Sequence, residues 1–374
     1  MEPTYPLHAR VCRECFLVQL PAFETPERIF GEHYPYFSSF SDTWLDHCRT
    51  YAQEVVGALD LGARSFVVEV ASNDGYLLQY FAQRRIPVRG IEPAANVASA
   101  ARKRGIPTDT VFLGAETAQR FVEEYGPADV VVANNVIAHV PNLHDFVQGL
   151  AVLLKRDGVL TVEFPHVLQL MEHVQFDTIY HEHFSYFGLM SAETVLPAHG
   201  LRVFDVQELA THGGSLRLWI CRRESSRKET ERVSTLRTRE RSYGLLDMSR
   251  YAEFSSRVRL AKRDLLRYVI DTVEAGKRIA GYGAAAKGNT LLNYCGIRAD
   301  MIEYVMDRNP EKIGRWLPGS RIPVVAPTVG RERRPDVLLI LPWNIRNEVI
   351  AQLDDLRREG TRFVVAVPRV AVVA

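Results

Sequence analysis

From Phe66 onward the chain alternates short, almost wholly apolar runs with longer stretches of helical period. Phe66-Val67-Val68-Glu69-Val70-Ala71 has the pattern of a buried strand. The turn residues Ser72-Asn73-Asp74-Gly75 close it, and a helical segment over residues 76–83 follows. Val88-Arg89-Gly90-Ile91-Glu92 predicts a second strand, with a helix over about 94–104, and further strands are expected at 129–133 and 158–163. Strands alternating with helices predict a parallel α/β sheet with right-handed crossovers, the plan of a Rossmann-like domain. A second strand–turn–helix opens at Arg278-Ile279-Ala280-Gly281-Tyr282-Gly283, with strands expected at 301–306, 337–341 and 363–367. This is a second, smaller Rossmann-like α/β unit, sharing the plan of the first without an evident sequence repeat.

Three stretches lack the alternation. Residues 1–40 are aromatic and proline-rich with little periodicity, and Ser41 or Asp42 is placed to cap a helix running to Leu59. Residues 222–264 interleave arginines such as Arg222, Arg227, Arg232 and Arg237 with Glu224, Glu229 and Glu240, the pattern of a solvated helical linker. The expected division is an irregular N-terminal segment (1–40), a middle α/β domain (41–221), the linker (222–264) and a C-terminal α/β domain (265–374).

Composition removes several function classes. Lys+Arg 46 against Asp+Glu 45 leaves a formal charge of +1, without the basic surplus that nucleic-acid or anionic-membrane binding draws on. No apolar run reaches the roughly 18 residues of a spanning helix, and the first residues hold no apolar secretory core. Five cysteines are too few for a disulfide scaffold, and a reducing cytoplasm fits them.

Glu69 through Gly75 lie at the carboxyl end of the first strand, where open α/β sheets bind ligands. A glycine there admits close backbone approach, and the following helix N-terminus favours negative groups. Glu92, ending the second strand, is suited to a ribose. Two glycines of G-x-G-x-x-G are missing, which disfavours a dinucleotide. A bare turn with a surface glutamate competes. The combination resembles methyltransferases that use S-adenosylmethionine. In that resemblance Ala71, Asn73, Asp74 and Gly75 border the methionine part, Glu92 the ribose, Phe112 and Leu113 the adenine, and Asn134 and Asn135 the sulfonium, with Glu69 and Pro93 as further cofactor contacts.

Asp177-Thr-Ile-Tyr180-His181-Glu182-His183-Phe184-Ser-Tyr186 is the densest chemistry in the chain. An imidazole removes a proton near neutrality, a carboxylate orients it, and a phenol hydrogen-bonds a developing enolate. Metal ligation through His-x-His and packed structural histidines are the competing readings. His139 follows the fourth strand of the first unit, at the same sheet edge as Gly75. Tyr34 and Tyr36 are candidates to reach that pocket from the N-terminal segment. The loop Gly281-x-Gly283-x-x-Ala286 with Asp307 beyond it reads as a dinucleotide fingerprint or a structural turn.

Together these motifs resemble the bacterial deoxysugar C-methyltransferases. They are Glu2-Pro-Thr-Tyr-Pro-Leu7, Cys12-x-x-Cys15, Tyr34-Pro-Tyr-Phe-Ser-Ser39, Glu69-x-x-Ser-Asn-Asp-Gly75, Tyr180-His-Glu-His-Phe184, His212-Gly-Gly-Ser-Leu-Arg217 and Gly281-Tyr-Gly-Ala-Ala-Ala-Lys-Gly288. The resemblance implies methyl transfer from S-adenosylmethionine to carbon 3 of a nucleotide-linked 4-keto-6-deoxy sugar, in antibiotic and other branched-sugar biosynthesis. His183 is then the favoured base, Glu182 its orienter, and Tyr180 and His139 the enolate or substrate contacts, with the roles of His183, His139 and Tyr180 exchangeable. Tyr34, Tyr36, His181, His212, Ser215, Arg217, Gly283, Lys287, Asn289, Asp307 and Asn309 are the expected substrate contacts. O- or N-methylation, or nucleotide-sugar binding without catalysis, are the alternatives. Relatives pair a second C-x-x-C with the first in a four-cysteine zinc site, whereas this chain shows only Cys12 and Cys15, leaving zinc doubtful. A monomer or small homo-oligomer is expected.

Overall fold

A computed structural model describes residues 2–31, 34 and 37–374. Helix α1 (Asp42–Leu59) begins where its cap predicts: Ser41 Oγ accepts the Trp44 N–H at 3.3 Å, and Asp60 ends the helix in the left-handed region.

The middle domain is built on seven strands: β1 (Val67–Val70), β2 (Val88–Ile91), β3 (Thr108–Asp109), β4 (Ala128–Asn134), β5 (Leu154–Pro165), β6 (Leu201–Leu209) and β7 (Ser215–Arg222). Their spatial order is β3-β2-β1-β4-β5-β7-β6. β1 to β5 run parallel, and β7 is antiparallel to both its neighbours. Every residue of β1 is buried because helices cover both faces of the sheet. The strand order reverses between β1 and β4, so the chain diverges there and opens a crevice at the carboxyl ends.

The C-terminal domain repeats the plan with β8 (Ile279–Tyr282), β9 (Val305–Met306), β10 (Val324–Val325), β11 (Val337–Ile340), β12 (Arg362–Val365) and β13 (Ala371–Val372), in the order β10-β9-β8-β11-β12-β13. The strand expected over 301–306 shrinks to its last two residues. Helix α2 (Ala286–Cys295) follows the glycine loop after β8.

Two features go beyond the sequence pattern. The N-terminal segment is not wholly irregular. Arg10–Val11, Val18–Gln19 and Ser185–Tyr186 form a three-stranded sheet, so this segment is stitched to the chain just after the histidine box. The charged stretch is also more than a solvated linker. It contains helix Glu231–Tyr243, in which Val233, Leu236 and Glu240 are buried, and the start of helix Met248–Glu274, which runs on past the expected boundary at residue 264. Its arginines dock on the middle domain through ion pairs, Arg232 with Asp205, Arg237 with Glu193 and Arg239 with Glu172 and Glu208. Among the described residues no helix is long and apolar enough to cross a membrane.

The two domains share a joint. Val174 and Phe176, from the middle domain, belong to the C-terminal hydrophobic core. Thr290 Oγ1 of α2 donates to the Ile179 carbonyl at 3.3 Å.

Candidate active site

The turn after β1 holds three residues in the left-handed region: Ala71 (φ 57°), Asn73 (φ 48°) and Gly75 (φ 79°). A Cβ on Gly75 would lie 2.9 Å from Ile106, so space as well as φ demands glycine. Glu92 closes the far side. Its carboxylate accepts the Asn73 N–H at 2.9 Å and the Ala94 N–H at 2.8 Å, leaving each oxygen one further acceptor site. Burial raises its pKa. Glu69 lies beneath the turn, 1% exposed, and burial pushes its carboxyl well above the usual range.

The N-terminal segment covers this crevice. Ser38 N–H donates to Asn73 Oδ1 at 2.8 Å, Ser39 Oγ donates to Asp74, and Arg104 ties both down. Asn96 Nδ2 donates to the Tyr34 carbonyl at 2.9 Å. Phe30 makes edge-to-face contacts with both Tyr34 and His139, which brings Tyr34 to the site margin. Tyr36 lies outside the described residues. Pro93, Phe112 and Leu113 follow β2 and β3 at the same sheet edge, where Phe112 is 38% exposed. Among the described residues, buried polar atoms around the crevice without a partner include Ser72 Oγ, Asp74 Oδ1, Asn134 Oδ1 and Asn135 Nδ2. Buried orphans of this kind are what a polar ligand satisfies.

The histidine box is positioned by three backbone bonds. Phe184 N–H donates to the Ala138 carbonyl at 2.7 Å, Leu20 N–H donates to the Phe184 carbonyl at 2.9 Å, and His183 N–H closes a tight turn on the Tyr180 carbonyl at 2.9 Å. The first of these locks the box to the loop after β4, so His139 and His183 meet with ring centroids 4.7 Å apart. His183 Nδ1 lies 3.2 Å from the Thr178 carbonyl, and Nε2 lies 3.1 Å from the Tyr180 hydroxyl. A carbonyl only accepts, so the proton sits on Nδ1 and Nε2 carries the lone pair. Burial and then His139 push the His183 pKa well below 6.5, and burial pushes His139 to about 4. Both rings are therefore neutral at pH 7. His139 Nδ1 is buried without a partner.

Glu182 does not orient His183. Both ring nitrogens of His183 are engaged elsewhere, and the Thr178 carbonyl takes the place expected for the carboxylate. A turn this tight sends adjacent side chains apart. Glu182 is instead a mostly dry carboxyl whose pKa burial raises, and its backbone bonds the His139 ring.

The expected substrate contacts divide. Lys287 opens α2, with Nζ bonded to Asn344 Oδ1 at 2.7 Å and 5.0 Å from the Trp343 ring centre. Burial lowers its pKa, and its charge is felt by His183 and His212. Asn289 Oδ1 is buried and unpartnered. Gly283 (φ 91°) turns the chain against Pro342. His212, half-buried, packs at a tilt against Trp44, and burial holds its pKa at about 4.

Five residues are engaged within the fold. Arg217 is 2% exposed and paired with Glu163 at 2.9 Å: β7 directs it onto the sheet face under α1, where it also meets His47 and Glu54. His181 bonds the Pro6 carbonyl at 3.1 Å and packs against Tyr5 and Phe23, anchoring the N-terminal segment. Asp307 accepts the Ala284 and Asn309 N–H groups, and Asn309 in turn accepts the Glu311 N–H, so both shape the glycine loop and the turn beyond it. Ser215 is buried and donates to the Thr211 carbonyl, although it also lines a cavity of about 490 Å³. That cavity lies between the domains, against Gln175, Gly213, Gly214, Trp343 and Asn344. Neither His183, His139 nor the β1 turn lines it.

Comparison with known proteins decides the family. The chain is 37% identical over its whole length, and 89% of the relative's, to the C-methyltransferase NovU of Streptomyces niveus. This chain belongs to the S-adenosylmethionine-dependent C-methyltransferases. Residues 44–206 of this methyltransferase match a methyltransferase-domain model, and 210–368 match a C-methyltransferase C-terminal domain. Among solved structures it is similar to magnesium protoporphyrin IX methyltransferase of Synechocystis with bound S-adenosylmethionine. That likeness has 19% identity and a TM-score of 0.36, covering 52% of this chain and 88% of that one. An S-adenosylmethionine-dependent methyltransferase of Archaeoglobus fulgidus is similar at 12% identity and a TM-score of 0.36, covering 49% and 74%.

Residues 1–30 of the methyltransferase match a zinc-binding domain. The donors do not fit a closed site. Cys12 and Cys15 are half-buried at a tight turn, but no group of three or more His, Cys, Asp or Glu side chains among the described residues is placed to share a metal. The turn is held without one: Phe16 N–H donates to the Cys12 carbonyl and Cys12 N–H to the Leu17 carbonyl, each at 3.1 Å. The crevice, in contrast, fits S-adenosylmethionine through its orphaned polar atoms and open backbone turn. Sequence reasoning missed Thr178, which acts by a carbonyl every residue carries. It also missed Glu163 and His47, the pair that holds Arg217.

Proposed function

We propose that this methyltransferase methylates carbon 3 of a nucleotide-linked 4-keto-6-deoxy sugar through an enolate, as a cytoplasmic step in branched deoxysugar and antibiotic biosynthesis. The observation that supports it is the trio of His183, His139 and Tyr180, gathered at the loop that follows Asn134 and Asn135. Oxygen and nitrogen nucleophiles already have a lone pair to offer. A carbon next to a ketone must first lose a proton, and two neutral imidazoles with a phenol are suited to that task.

When bound, S-adenosylmethionine supplies an electrophilic methyl group. His183 Nε2 takes the proton from carbon 3, and its Nδ1–H bond to Thr178 steadies the resulting cation. The Tyr180 hydroxyl leaves Nε2 for the enolate oxygen as that nitrogen takes the proton, His139 accepts from a substrate hydroxyl through its unpartnered Nδ1, and Asn134, Asn135 and the β1 turn hold the cofactor in line. Proximity and oriented hydrogen bonds provide most of the acceleration. Lys287, Asn289 and the Gly283 loop hold the sugar nucleotide, with the neighbouring 490 Å³ cavity as room for its nucleotide part. The sugar assignment rests on the motif resemblance.

The test is incubation of the full chain with methyl-labelled S-adenosylmethionine and a panel of 4-keto-6-deoxy sugar nucleotides deuterated at carbon 3. The product should gain one methyl and lose the deuterium. A methylated product that keeps it, or no product from any keto sugar, overturns the proposal.

A further inference from the structure

Trp343 belongs to the C-terminal domain, immediately beyond β11. Its indole Nε1–H donates to Asp177 Oδ2 of the middle domain at 2.7 Å, with both groups buried. A Cβ on Gly213 would run into the Trp343 ring, so the indole is wedged between the domains with little freedom. Asp177 is fully buried, with no salt bridge and Trp343 as its one side-chain donor among the described residues. Burial outweighs the pull of Lys287 and raises its pKa to about 6. A dry carboxyl at a domain joint is costly where an apolar pair would pack as well. Its position gives it another use. Asp177 is the middle residue of the turn Phe176–Thr178, and the next carbonyl, Thr178, receives the His183 Nδ1–H at 3.2 Å.

We infer that Asp177 and Trp343 are positioning residues for the reaction: the hydrogen bond that crosses the domain joint fixes the 176–178 turn, and through Thr178 it fixes the tautomer and aim of His183. The C-terminal domain thereby sets the base as well as holding substrate. Lys287 and Asn344 flank the same indole, so the ligand-facing loop and the base rest on one support. The inference rests on the reading of His183 as base.

The test has two arms. Nitrogen-15 NMR of the histidine rings at neutral pH, with the His183 signal assigned by loss in His183→Asn, reads the tautomer without substrate. Wild type should show protonated Nδ1, Trp343→Phe and Asp177→Ala a mixture, and Asp177→Asn, which keeps an acceptor for the indole, the wild-type pattern. On the keto-sugar panel, Trp343→Phe and Asp177→Ala should each lower kcat by about 10–100-fold with KM for S-adenosylmethionine unchanged. Asp177→Asn should restore most of it, and the double variant should be no worse than either single one, because the two act in series. Wild-type tautomer and kcat in a folded Trp343→Phe overturn the inference, as does an Asp177→Asn as impaired as Asp177→Ala. If Asp177→Ala does not fold, Trp343→Phe and Asp177→Asn carry the test alone. Normal turnover in His183→Asn would instead overturn the reading beneath it, whatever the tautomer signals show.

Discussion

His183 has one ring nitrogen on a carbonyl and the other on a phenol, and that asymmetry sets its chemistry. Replacing His183 with Asn or Tyr180 with Phe should each reduce turnover about 10²–10⁴-fold, measured on the first keto sugar accepted. The pH dependence follows from the same burial. The neutral base is present above its folded pKa and lost as pH falls through it, and that pKa lies well below 6.5. The kcat profile should therefore stay flat from neutrality down through pH 6.5, with its acid limb lower; a limb centred at 6.5 or above would show a solvated imidazole. The sequence already named the histidines, tyrosine and glutamate as one chemical group. It could not distribute their bonds: Glu182 looked like the partner of His183 by adjacency, whereas a carbonyl five residues back has the role.

Among the elements, the loop between β6 and β7 and the strand after it illustrate how residue type and position diverge. Gly213 (φ 92°) has Trp343 against the place its side chain would occupy. Gly213→Ala should both strain the backbone and displace the indole, lowering the melting temperature and kcat together, as thermal unfolding and turnover assays would show. Arg217, a few residues on, is buried against Glu163, which also meets His47. Burial alone would raise the Glu163 pKa, but His47 and Arg217 overcome it and hold it at about 2. Its contribution is present above the ordinary carboxylate pKa and is lost as pH falls toward 2. Arg217→Met strands that charge and should cost about 3–5 kcal/mol in chemical denaturation. Sequence spacing placed Arg217 in a substrate motif because the paired glycines before it signal a close approach. The approach is made by an indole of the same chain, and β7 carries Arg217 onward to the buried sheet face under α1, away from the glycine loop.

Across the whole molecule the N-terminal segment, the middle domain and the C-terminal domain converge on residues 174–186. A three-stranded sheet, a hydrophobic core and a domain-crossing hydrogen bond all end there. The N-terminal turn is closed by backbone bonds and by pairing of Val18 with Tyr186 rather than by four ligands. A chelator should therefore leave the melting temperature of the full chain unchanged, and a clear drop in calorimetry would reveal a metal that two thiols do not account for. The alternation of apolar runs and helices, the glycine turn after β1 and the order of the chemical motifs were legible in the chain, because local periodicity and residue type decide which elements form and which groups can react. What the tertiary structure decided is which of those groups meet. Contacts such as Trp343 with Asp177, or His139 with His183, join positions far apart in sequence, and only the packing of two sheets against a shared segment brings them within bonding distance.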